Sequence, residues 1–356
     1  MTSIGIIGAG MIANVHAEAA AKVGTTISAV YDPQPATASK FGSKHDCFVA
    51  SSVDELLSRD DVQGVVIAVP NDLHAALAIE SLNAEKDVLL EKPMAMTVQQ
   101  CQDILRSRDQ SGSVLQLGFV CRFAPAAIKA KALINDGAVG RVHHIRATLL
   151  RRRGIPGLGG WFTNKARSGG GCLIDIGVHL IDLAMHVSEL RDPVRAIGHC
   201  WHTFMPDGYI YDEMWSEPVK DGTFDVEDGM NATVGFQDGS TLQLDIAWAT
   251  HLPENQLQDG VIIDGDQGSM VFDLWGDSVM IGVAEEGKPK THTEHVDVED
   301  AWQEAFECEH RLFAEAIHSR KLHPDAGSGE DGSLVQSIIE AIYKSDETQK
   351  EVAIVH

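Results

Sequence analysis

The sequence predicts an α/β protein with two domains: an N-terminal doubly wound parallel sheet and a C-terminal α+β domain with an open, mostly antiparallel sheet. Three observations predict this fold class. Short apolar runs alternate with helix-prone segments over residues 1–122, a glycine-rich turn follows the first apolar run, and alternating strand-like runs dominate residues 123–356. With 356 residues, the chain is long enough for two such cores.

Six continuous apolar runs predict the first sheet, because parallel strands covered on both faces are apolar along their whole length. The predicted strands are 3–8, 26–32, 47–50, 64–69, 87–90 and 114–119, and the predicted helices are 11–22, 34–41, 52–57, 72–84 and 97–110. Ser52, with Glu55 three residues later, and Thr97 are predicted helix caps, because Ser and Thr hydroxyls accept hydrogen bonds from a first helical turn.

The second half has a different pattern. Strands are predicted over 141–151, 194–201, 230–248, 260–274 and 278–283, and helices near 125–136, 172–187, 301–318 and 332–345. The Asp-Gly pairs in "FQDGST" and "IDGDQGSM" are typical of hairpin turns. The acidic, glycine-containing stretch 324–332 is the predicted flexible segment.

Composition excludes several classes of protein. The net charge of −24 argues against nucleic acid or an anionic membrane as a partner, because phosphate binding needs clustered positive charge. Six scattered cysteines without a C-x-x-C pair favour reduced thiols over a disulfide framework or a zinc site. We find no signal peptide pattern and no apolar run of about 18 residues. A soluble, cytoplasmic protein is therefore expected.

The turn after the first strand has the spacing G-x-G-x-x-A, formed by Gly8, Gly10 and Ala13. The first glycine allows a tight turn, the second lets a pyrophosphate approach the backbone, and the small third residue keeps helix and strand close. The motif is weak alone, but here a strand precedes it and a helix follows. It therefore predicts a Rossmann domain that binds a dinucleotide, with Met11 and Ile12 at the helix start as further cofactor contacts.

Asp32 lies at the end of the second predicted strand, 22 residues past Gly10. A carboxylate there accepts a hydrogen bond from a ribose 2′-hydroxyl and repels a 2′-phosphate, so NAD is predicted over NADP. The alternative is a turn residue before Pro33. Further along, "VPNDLH" (69–74) places Pro70, Asn71 and His74 at a strand end where such sheets bind ligands, although Asn71 also suits a helix cap.

"EKPMAM" (91–96) follows the buried strand "DVLL" and puts Glu91 and Lys92 just past its carboxyl end. A strand that simply stops at Pro93 would give the same pattern, because proline cannot donate to a sheet. The functional alternative is an acid and a base at the ligand-binding edge of the sheet.

"GGGCLIDIGVHLIDLAMHV" (169–187) is the second informative stretch. Asp175, His179, Asp182 and His186 are spaced i, i+4, i+7 and i+11, so a regular helix would place them on one face. A polar stripe on an apolar helix needs partners when it is buried. Catalysis, a structural role with Asp175 as a cap and His186 on the surface, and metal binding all remain open, while the three glycines predict close backbone approach.

The segment "RRRGIPGLGGWF" (151–162) is basic in an acidic protein. Arg153 is a candidate for binding an acidic sugar, because a guanidinium binds carboxylates bidentately. The favoured alternative places most of these arginines in solvent or in surface ion pairs. Trp161 stacks on a sugar ring or fills a loop core, and His144 and Lys165 are unranked pocket candidates.

Taken together, the glycine motif, Asp32, "EKP", "GFVCRF" (118–123) and "DIGVHLID" (175–182) resemble the Gfo/Idh/MocA oxidoreductases over essentially the whole chain. The resemblance implies NAD-dependent hydride transfer on a sugar, anhydrosugar or inositol. It identifies Lys92 with the family's lysine beside nicotinamide and substrate oxygen, often followed by a cis proline. It identifies Asp175 and His179 with the paired acid and base.

The resemblance also implies that Asp182 supports His179, that Arg122 contributes to cofactor and substrate binding, and that no metal is required. Glu91, by our own reading, orients Lys92. The predicted substrate contacts are Lys92, Arg122, Arg153, Trp161, Asp175 and His179. Relatives commonly form dimers or tetramers through the second domain's sheet, so a homo-oligomer is expected.

Three functions remain open from the sequence. The first is a sugar or polyol dehydrogenase that uses NAD. The second is an NAD-dependent glycosidase that oxidises, eliminates and re-reduces, with no net redox change. The third is a non-catalytic sugar sensor, against which the intact set Lys92, Asp175 and His179 argues.

Overall fold

The computed structural model describes residues 2–204, 219, 222–253, 256 and 259–355. The chain forms two compact units: Met1–Val120 with Gln303–Gln336, and Cys121–Trp302 with Ser337–His356. The sequence predicted a division into 1–122 and 123–356. The structure differs in that residues 303–336 return to the first unit.

The first unit contains a seven-stranded sheet with the order β15-β6-β5-β4-β1-β2-β3. Six of its strands are parallel, as predicted: β1 (Ser3–Ile7), β2 (Thr26–Tyr31), β3 (Phe48–Val49), β4 (Gly64–Ile67), β5 (Asp87–Glu91) and β6 (Leu115–Gly118). The seventh, β15 (Gly327–Ser328), pairs antiparallel with β6. The order reverses at β1, which is where doubly wound sheets bind their ligands.

Helices accompany the parallel strands in the predicted rhythm. They are α1 (Met11–Lys22), α2 (Pro35–His45), α3 (Val53–Leu57), α4 (His74–Asn83) and α5 (Val98–Ser111). Both predicted caps form: the Ser52 hydroxyl accepts from the Glu55 N–H at 3.1 Å, and the Thr97 hydroxyl accepts from the Gln100 N–H at 3.2 Å.

The return of the chain has a packing cause. Helix α9 (Ala301–Ser319) is amphipathic, and its Phe313 and Ile317 join the buried cluster that contains Ile4, Val66 and Leu89 of the parallel sheet. Burying such side chains stabilises each by about 1.5–3 kcal/mol relative to water. This apolar face explains why residues 303–336 belong to the first unit.

Most of the stretch 324–332, which we predicted to be flexible, has regular structure, from residue 327 onward. Gly327 and Ser328 form β15, and α10 (Gly329–Thr348) begins directly after it. Asp331 and Ser328 exchange hydrogen bonds at this helix start, at 3.0 and 3.1 Å. The prediction was wrong because Gly, Ser and Asp serve here as a short edge strand and a helix cap, roles with the same composition as a loop.

The second unit contains a nine-stranded, mostly antiparallel sheet with the order β14-β13-β12-β11-β7-β10-β9-β8-β16. Its strands are β7 (Val142–Leu150), β8 (Pro193–Trp201), β9 (Gly229–Phe236), β10 (Thr241–Ala247), β11 (Asp259–Gly265), β12 (Gly268–Asp273), β13 (Ser278–Glu285), β14 (Lys288–His295) and β16 (Val352–Ala353). Among the described strands of this sheet, β7 and β10 alone pair in parallel. The Asp-Gly segments form the predicted hairpins β9–β10 and β11–β12.

Register shows that the two faces of this sheet differ. Residues paired across adjacent strands point to the same side, and one such row is Ala196, Val234, Leu242, Ile145, Ile263, Met270 and Ile281, all buried. The row one residue along each strand is Ile197, Thr233, Gln243, Arg146, Ile262, Val271, Met280 and Thr293, and every member is at least partly exposed. The sheet therefore has one covered face and one open face.

The helices of the second unit are α6 (Pro125–Asn135), α7 (Lys165–Ser168), a π-helical turn (Leu173–Gly177), α8 (Val178–Ser188) and the later part of α10. The run Lys165–Ser188 is long and apolar enough to cross a membrane, which our sequence analysis overlooked. Because 89% of its apolar window is buried inside the fold, this run packs as a core helix.

Candidate functional site

The glycine loop joins β1 to α1 in the first unit. Gly8 has φ of +92°, and a Cβ there would lie 2.3 Å from the carbonyl oxygen of Ala68, so only glycine fits. A Cβ built on Gly10 meets no described atom within 4 Å, which leaves open space over the start of α1. Ala13 is fully buried. These features fit a pyrophosphate, which the N–H groups and dipole of α1 would stabilise.

Asp32 combines two roles at the end of β2. Its Oδ1 accepts from the Gln34 N–H at 2.8 Å, which is the turn role considered from the sequence, and its Oδ2 accepts from the Ala9 N–H at 2.9 Å. Each oxygen retains a further acceptor position, so the carboxylate can also accept a ribose hydroxyl. Met11 is exposed and Ile12 packs against the core, and their cofactor contacts stay predictions.

His74 links the end of β4 to the turn after β5. Its Nδ1 lies 2.7 Å from the Pro93 carbonyl oxygen and its Nε2 lies 2.9 Å from the Val69 carbonyl oxygen, while the ring is buried. Burial lowers the pKa of His74. Asn71 is also buried, in a single 3₁₀ turn before α4, and Pro70 is half-buried. The structure assigns His74 a structural role, and its cofactor contact stays a prediction.

Glu91 and Lys92 lie at the carboxyl end of β5, and the Lys92–Pro93 bond is cis, as the family resemblance implied. Glu91 Oε2 accepts the backbone N–H of Lys92 at 3.1 Å, so the acid acts on the main chain of the lysine. Within the described run 87–95, Lys92 alone has a partly exposed surface.

A buried chain of imidazoles supports Glu91. Glu91 Oε1 lies 2.8 Å from His16 Nε2, and His16 Nδ1 lies 2.9 Å from His310 Nε2. Burial favours the neutral acid, but the His16 hydrogen bond and the charges of Lys92 and His74 hold the pKa of Glu91 below its usual value. With Glu91 ionised, His16 donates to it through Nε2–H and accepts at Nδ1 from His310 Nε2–H, which satisfies both links.

Asp175 and His179 differ from every neighbour on their helical segment. In the described run 170–188 they alone are partly exposed, and every other residue is buried. Asp175 lies in the π-helical turn rather than in regular helix, so the simple one-face geometry predicted from the sequence does not hold there. Single π turns occur often at functional sites.

The second half of the polar stripe is internal. Asp182 forms a bidentate ion pair with Arg122, with Oδ2 2.8 Å from Nε and Oδ1 2.5 Å from Nη2, and both side chains are about 2% exposed. His186 is buried 3.2 Å from Lys131 Nζ, so the alternative that placed it on the surface is wrong. The ligand role of Arg122 and the support of His179 by Asp182 stay predictions.

The remaining candidates lie elsewhere in the second unit. Arg153 is exposed and pairs through its main chain with Ala249. Trp161 stacks on Phe162 with ring centroids 3.7 Å apart, and His144 Nδ1 lies 2.8 Å from the Thr241 hydroxyl on the sheet. The exposed Lys165 lies 6.0 Å from the Tyr343 ring. The described part of the chain holds no group of three or more His, Cys, Asp and Glu side chains arranged for a metal ion.

Three supporting residues were missed from the sequence: His16, Trp248 and Glu227. Trp248 is fully buried and its indole N–H donates to Asp175 Oδ2 at 2.8 Å. Glu227 binds the backbone just before Asp175. No local pattern marks these residues, because each lies more than 50 positions from the residue it supports.

Comparison with known proteins places this arrangement in context. Residues 2–119 match the model of an oxidoreductase family with an NAD-binding Rossmann fold, and residues 127–271 match the GFO/IDH/MocA C-terminal domain. The chain is 28% identical to the D-glucoside 3-dehydrogenase of Escherichia coli over 356 residues, which covers 99% of this chain and 97% of the relative. It is 28% identical to a 2,7-anhydro-N-acetylneuraminate hydratase of Mediterraneibacter gnavus, covering 70% of this chain and 61% of the relative.

Among solved structures, a levoglucosan dehydrogenase in complex with NADH and levoglucosan superposes with a TM-score of 0.88 at 23% identity, covering 100% of both chains. This likeness confirms the predicted fold class of a parallel-sheet domain followed by a mostly antiparallel one. The first unit is an NAD-binding Rossmann domain, which confirms the cofactor prediction. Since models of both halves of the family match most of the chain, the protein belongs to the Gfo/Idh/MocA oxidoreductases.

Proposed function

We propose that this protein transfers hydride between NAD and a carbinol carbon of a sugar, anhydrosugar or inositol-type substrate. One observation carries the proposal: Lys92, Asp175 and His179 are the partly exposed side chains of an otherwise buried strand end and an otherwise buried helix. Polar side chains cost free energy to bury without partners, and ionisable groups that face solvent from otherwise buried segments are candidates for a functional site.

Each side chain has a role in the oxidation. His179 takes the hydroxyl proton, for which imidazole is suited because its reference pKa of about 6.5 lies near working pH. Lys92 donates to the same oxygen and stabilises the negative charge that develops there. Asp175, oriented by the Trp248 indole, binds and positions the substrate. NAD, when bound, supplies the ring carbon that accepts the hydride.

The substrate class rests on relatives. Named relatives include dehydrogenases of D-glucosides, of levoglucosan and of glucose 6-phosphate. A ring hydroxyl next to other hydroxyls is common to these substrates. We therefore propose a neutral pyranose or anhydrosugar first, with Arg153 and Trp161 as candidate substrate contacts.

Lys92→Met and His179→Ala test the roles. Each is expected to reduce kcat by about 10²–10⁴-fold, the usual contribution of a positioned acid–base group, while the NADH dissociation constant stays within about threefold. Lys288→Met and His143→Ala make the same changes at exposed positions of β14 and β7 and serve as controls. Unchanged kcat in either test variant would refute the assigned role.

A second function is supported by the hydratase relative, whose named reaction involves no net oxidation. In this alternative bound NAD would take a hydride transiently while the same residues act as acid and base, an adjacent group would be eliminated, water would add in its place, and the hydride would return to the product. Product analysis separates the two functions. Accumulating NADH across a panel of sugars, inositols and uronates supports the dehydrogenase, whereas release of an aglycone or water addition without NADH supports the alternative.

We also propose a cytoplasmic homodimer or homotetramer. All six cysteines are free thiols, which suits a reducing compartment. The open face of the nine-stranded sheet carries the exposed apolar side chains Ile197 and Met280, which suits contact with a second copy.

A further inference from the structure

One residue, Glu227, receives three consecutive backbone N–H groups at the start of the helical segment that carries Asp175 and His179. Gly171 N–H donates to Glu227 Oε2 at 2.9 Å, Cys172 N–H to its carbonyl oxygen at 3.2 Å, and Leu173 N–H to Oε1 at 3.0 Å. Helix starts usually obtain such acceptors from a local cap. Here Cys172, at the cap position, supplies no side-chain capping bond, and the acceptors come from 54 to 56 residues further along the chain.

The carboxylate is held in one orientation. The Tyr343 hydroxyl donates to Glu227 Oε1 at 2.8 Å, so both oxygens have partners from protein groups. Glu227 is buried and Tyr343 is half-buried, and desolvation raises the pKa of each. A buried carboxylate with three side-chain hydrogen bonds has little freedom to move, so the backbone bound to it is fixed as well.

The glycines before this segment are explained by the same contacts. A Cβ on Gly171 would lie 1.9 Å from the Glu227 carbonyl oxygen, and a Cβ on Gly170 would lie 2.0 Å from the Tyr343 hydroxyl oxygen. The close approach predicted from "GGG" is therefore an approach to Glu227 and Tyr343. Two of the three glycines serve an internal anchor.

We propose that Glu227 is a positioning residue for the reaction: it anchors the backbone of Gly171–Leu173 and thereby sets the direction of the π-helical turn that presents Asp175 and, one turn later, His179. Trp248 fixes the Asp175 side chain, and Glu227 fixes the main chain that bears it. The inference rests on the proposed function of Asp175 and His179, but the anchor itself is tested without activity.

Glu227→Gln is the informative variant. It keeps size and one acceptor oxygen, but its NH₂ group must face either the Gly171 N–H or the Leu173 N–H and Tyr343 hydroxyl, where a donor meets donors. Tyr343→Phe is the matched control, because it removes one bond to the same carboxylate and leaves both backbone acceptors in place. Glu227→Asp keeps the charge and shortens the reach.

Rates are measured per NADH-binding site, which removes any unfolded fraction from the comparison. We expect kcat/KM with the sugar to fall at least about 30-fold in Glu227→Gln and by no more than about threefold in Tyr343→Phe, with NADH affinity within twofold in both. In Glu227→Gln, and not in Tyr343→Phe, we expect amide hydrogen exchange at Gly171 and Leu173 to accelerate and the Trp248 indole N–H resonance to shift. The kcat/KM of Glu227→Asp is expected to lie between those of Glu227→Gln and Tyr343→Phe.

Other results decide against the proposal. A Glu227→Gln protein that melts earlier but keeps kcat/KM per site would show that Glu227 only stabilises the fold. So would a failure of both Glu227→Gln and Glu227→Asp to give NADH-binding protein. If the wild-type enzyme oxidises no sugar, the proposed function fails, while unchanged exchange and an unshifted Trp248 resonance in Glu227→Gln would independently refute the anchor.

Discussion

At the scale of single residues, the structure shows that the polar groups expected to act on substrate are held by buried polar groups behind them. Glu91 binds the main chain of Lys92 and is itself held by His16, and Asp175 is held by Trp248. Lys92, Asp175 and His179 could be proposed as site residues from the sequence because short motifs mark them. Their supports could not, because contacts between residues 73 and 75 positions apart leave no local pattern in a single sequence.

Glu309 provides a test of this buried network. Neither of its carboxylate oxygens has a partner among the described residues, and burial, with the nearby charge of Glu91, raises its pKa well above 4.5. The folded protein therefore binds a proton that the unfolded chain releases above pH 4.5. A raised pKa of this kind contributes stability that is complete below the unfolded pKa and is lost as pH rises through the folded one.

Glu309→Gln replaces the acid by a neutral isostere that does not titrate, so the variant does not lose stability in this way as pH rises. We expect its Tm to exceed that of the wild type by at least about 2 °C at pH 8, with the difference disappearing toward pH 4. Thermal unfolding of both proteins between pH 4 and 8 measures this difference, and taking the difference cancels the titration of His310, whose pKa burial lowers. A constant difference across the range would contradict the prediction.

At the scale of elements, the helical segment 173–188 departs from the geometry predicted by spacing. The sequence gives four polar residues at helical intervals, yet the first pair is partly exposed and the second pair, Asp182 and His186, is buried against Arg122 and Lys131. Periodicity predicts which residues share a helix. It does not reveal a π turn, because that turn depends on where the preceding backbone is anchored.

The glycines before this turn give the element-scale prediction. Gly171→Ala would place a Cβ against a carbonyl oxygen, which cannot retreat without moving the backbone, whereas Gly170→Ala would meet the end of the Tyr343 side chain. We expect both single variants to be destabilised by about 1–3 kcal/mol. Tyr343→Ala should relieve part of the cost of Gly170→Ala, by about 1 kcal/mol, and none of the cost of Gly171→Ala.

Denaturant unfolding of the single and double variants measures the coupling. Tyr343→Ala alone is the necessary reference, since it removes a bond to Glu227 in every background. Equal relief of both glycine variants, or relief of neither, would show that Tyr343 is not the obstacle at Gly170.

At the scale of the whole molecule, composition and the order of strand-like and helix-prone segments were sufficient to predict two sheets and their types. They did not predict the path of the chain after residue 300. Helix α9 is amphipathic whichever sheet it covers, so its sequence alone does not say where it packs. The open face of the second sheet was foreseeable because alternation along each strand carries the information directly.

That open face predicts assembly. Ile197 and Met280 are 51% and 46% exposed in one row across the sheet. We expect Ile197→Glu with Met280→Lys to shift the proposed dimer or tetramer to a smaller species, because charges would then be buried without partners. Light scattering after size exclusion measures the mass, and Ile128→Glu, at an exposed position on α6, is the control. A wild-type monomer would contradict the prediction.

The domain division predicts how fragments behave. Residues 1–122 alone lack Phe313 and Ile317, whose side chains lie 3.2 Å from a Cβ position at Gly64 in the middle of the parallel sheet. Losing a buried Phe typically costs about 3–5 kcal/mol, a large share of the 5–15 kcal/mol that stabilises a domain. We therefore expect residues 1–122 to show no cooperative melting and no NADH binding by fluorescence.

Joining residues 299–336 to the same fragment through a flexible Gly/Ser linker of about 20 residues should restore both. Cooperative unfolding and full NADH affinity in residues 1–122 alone would show that residues 303–336 are not needed for the stability of the first unit.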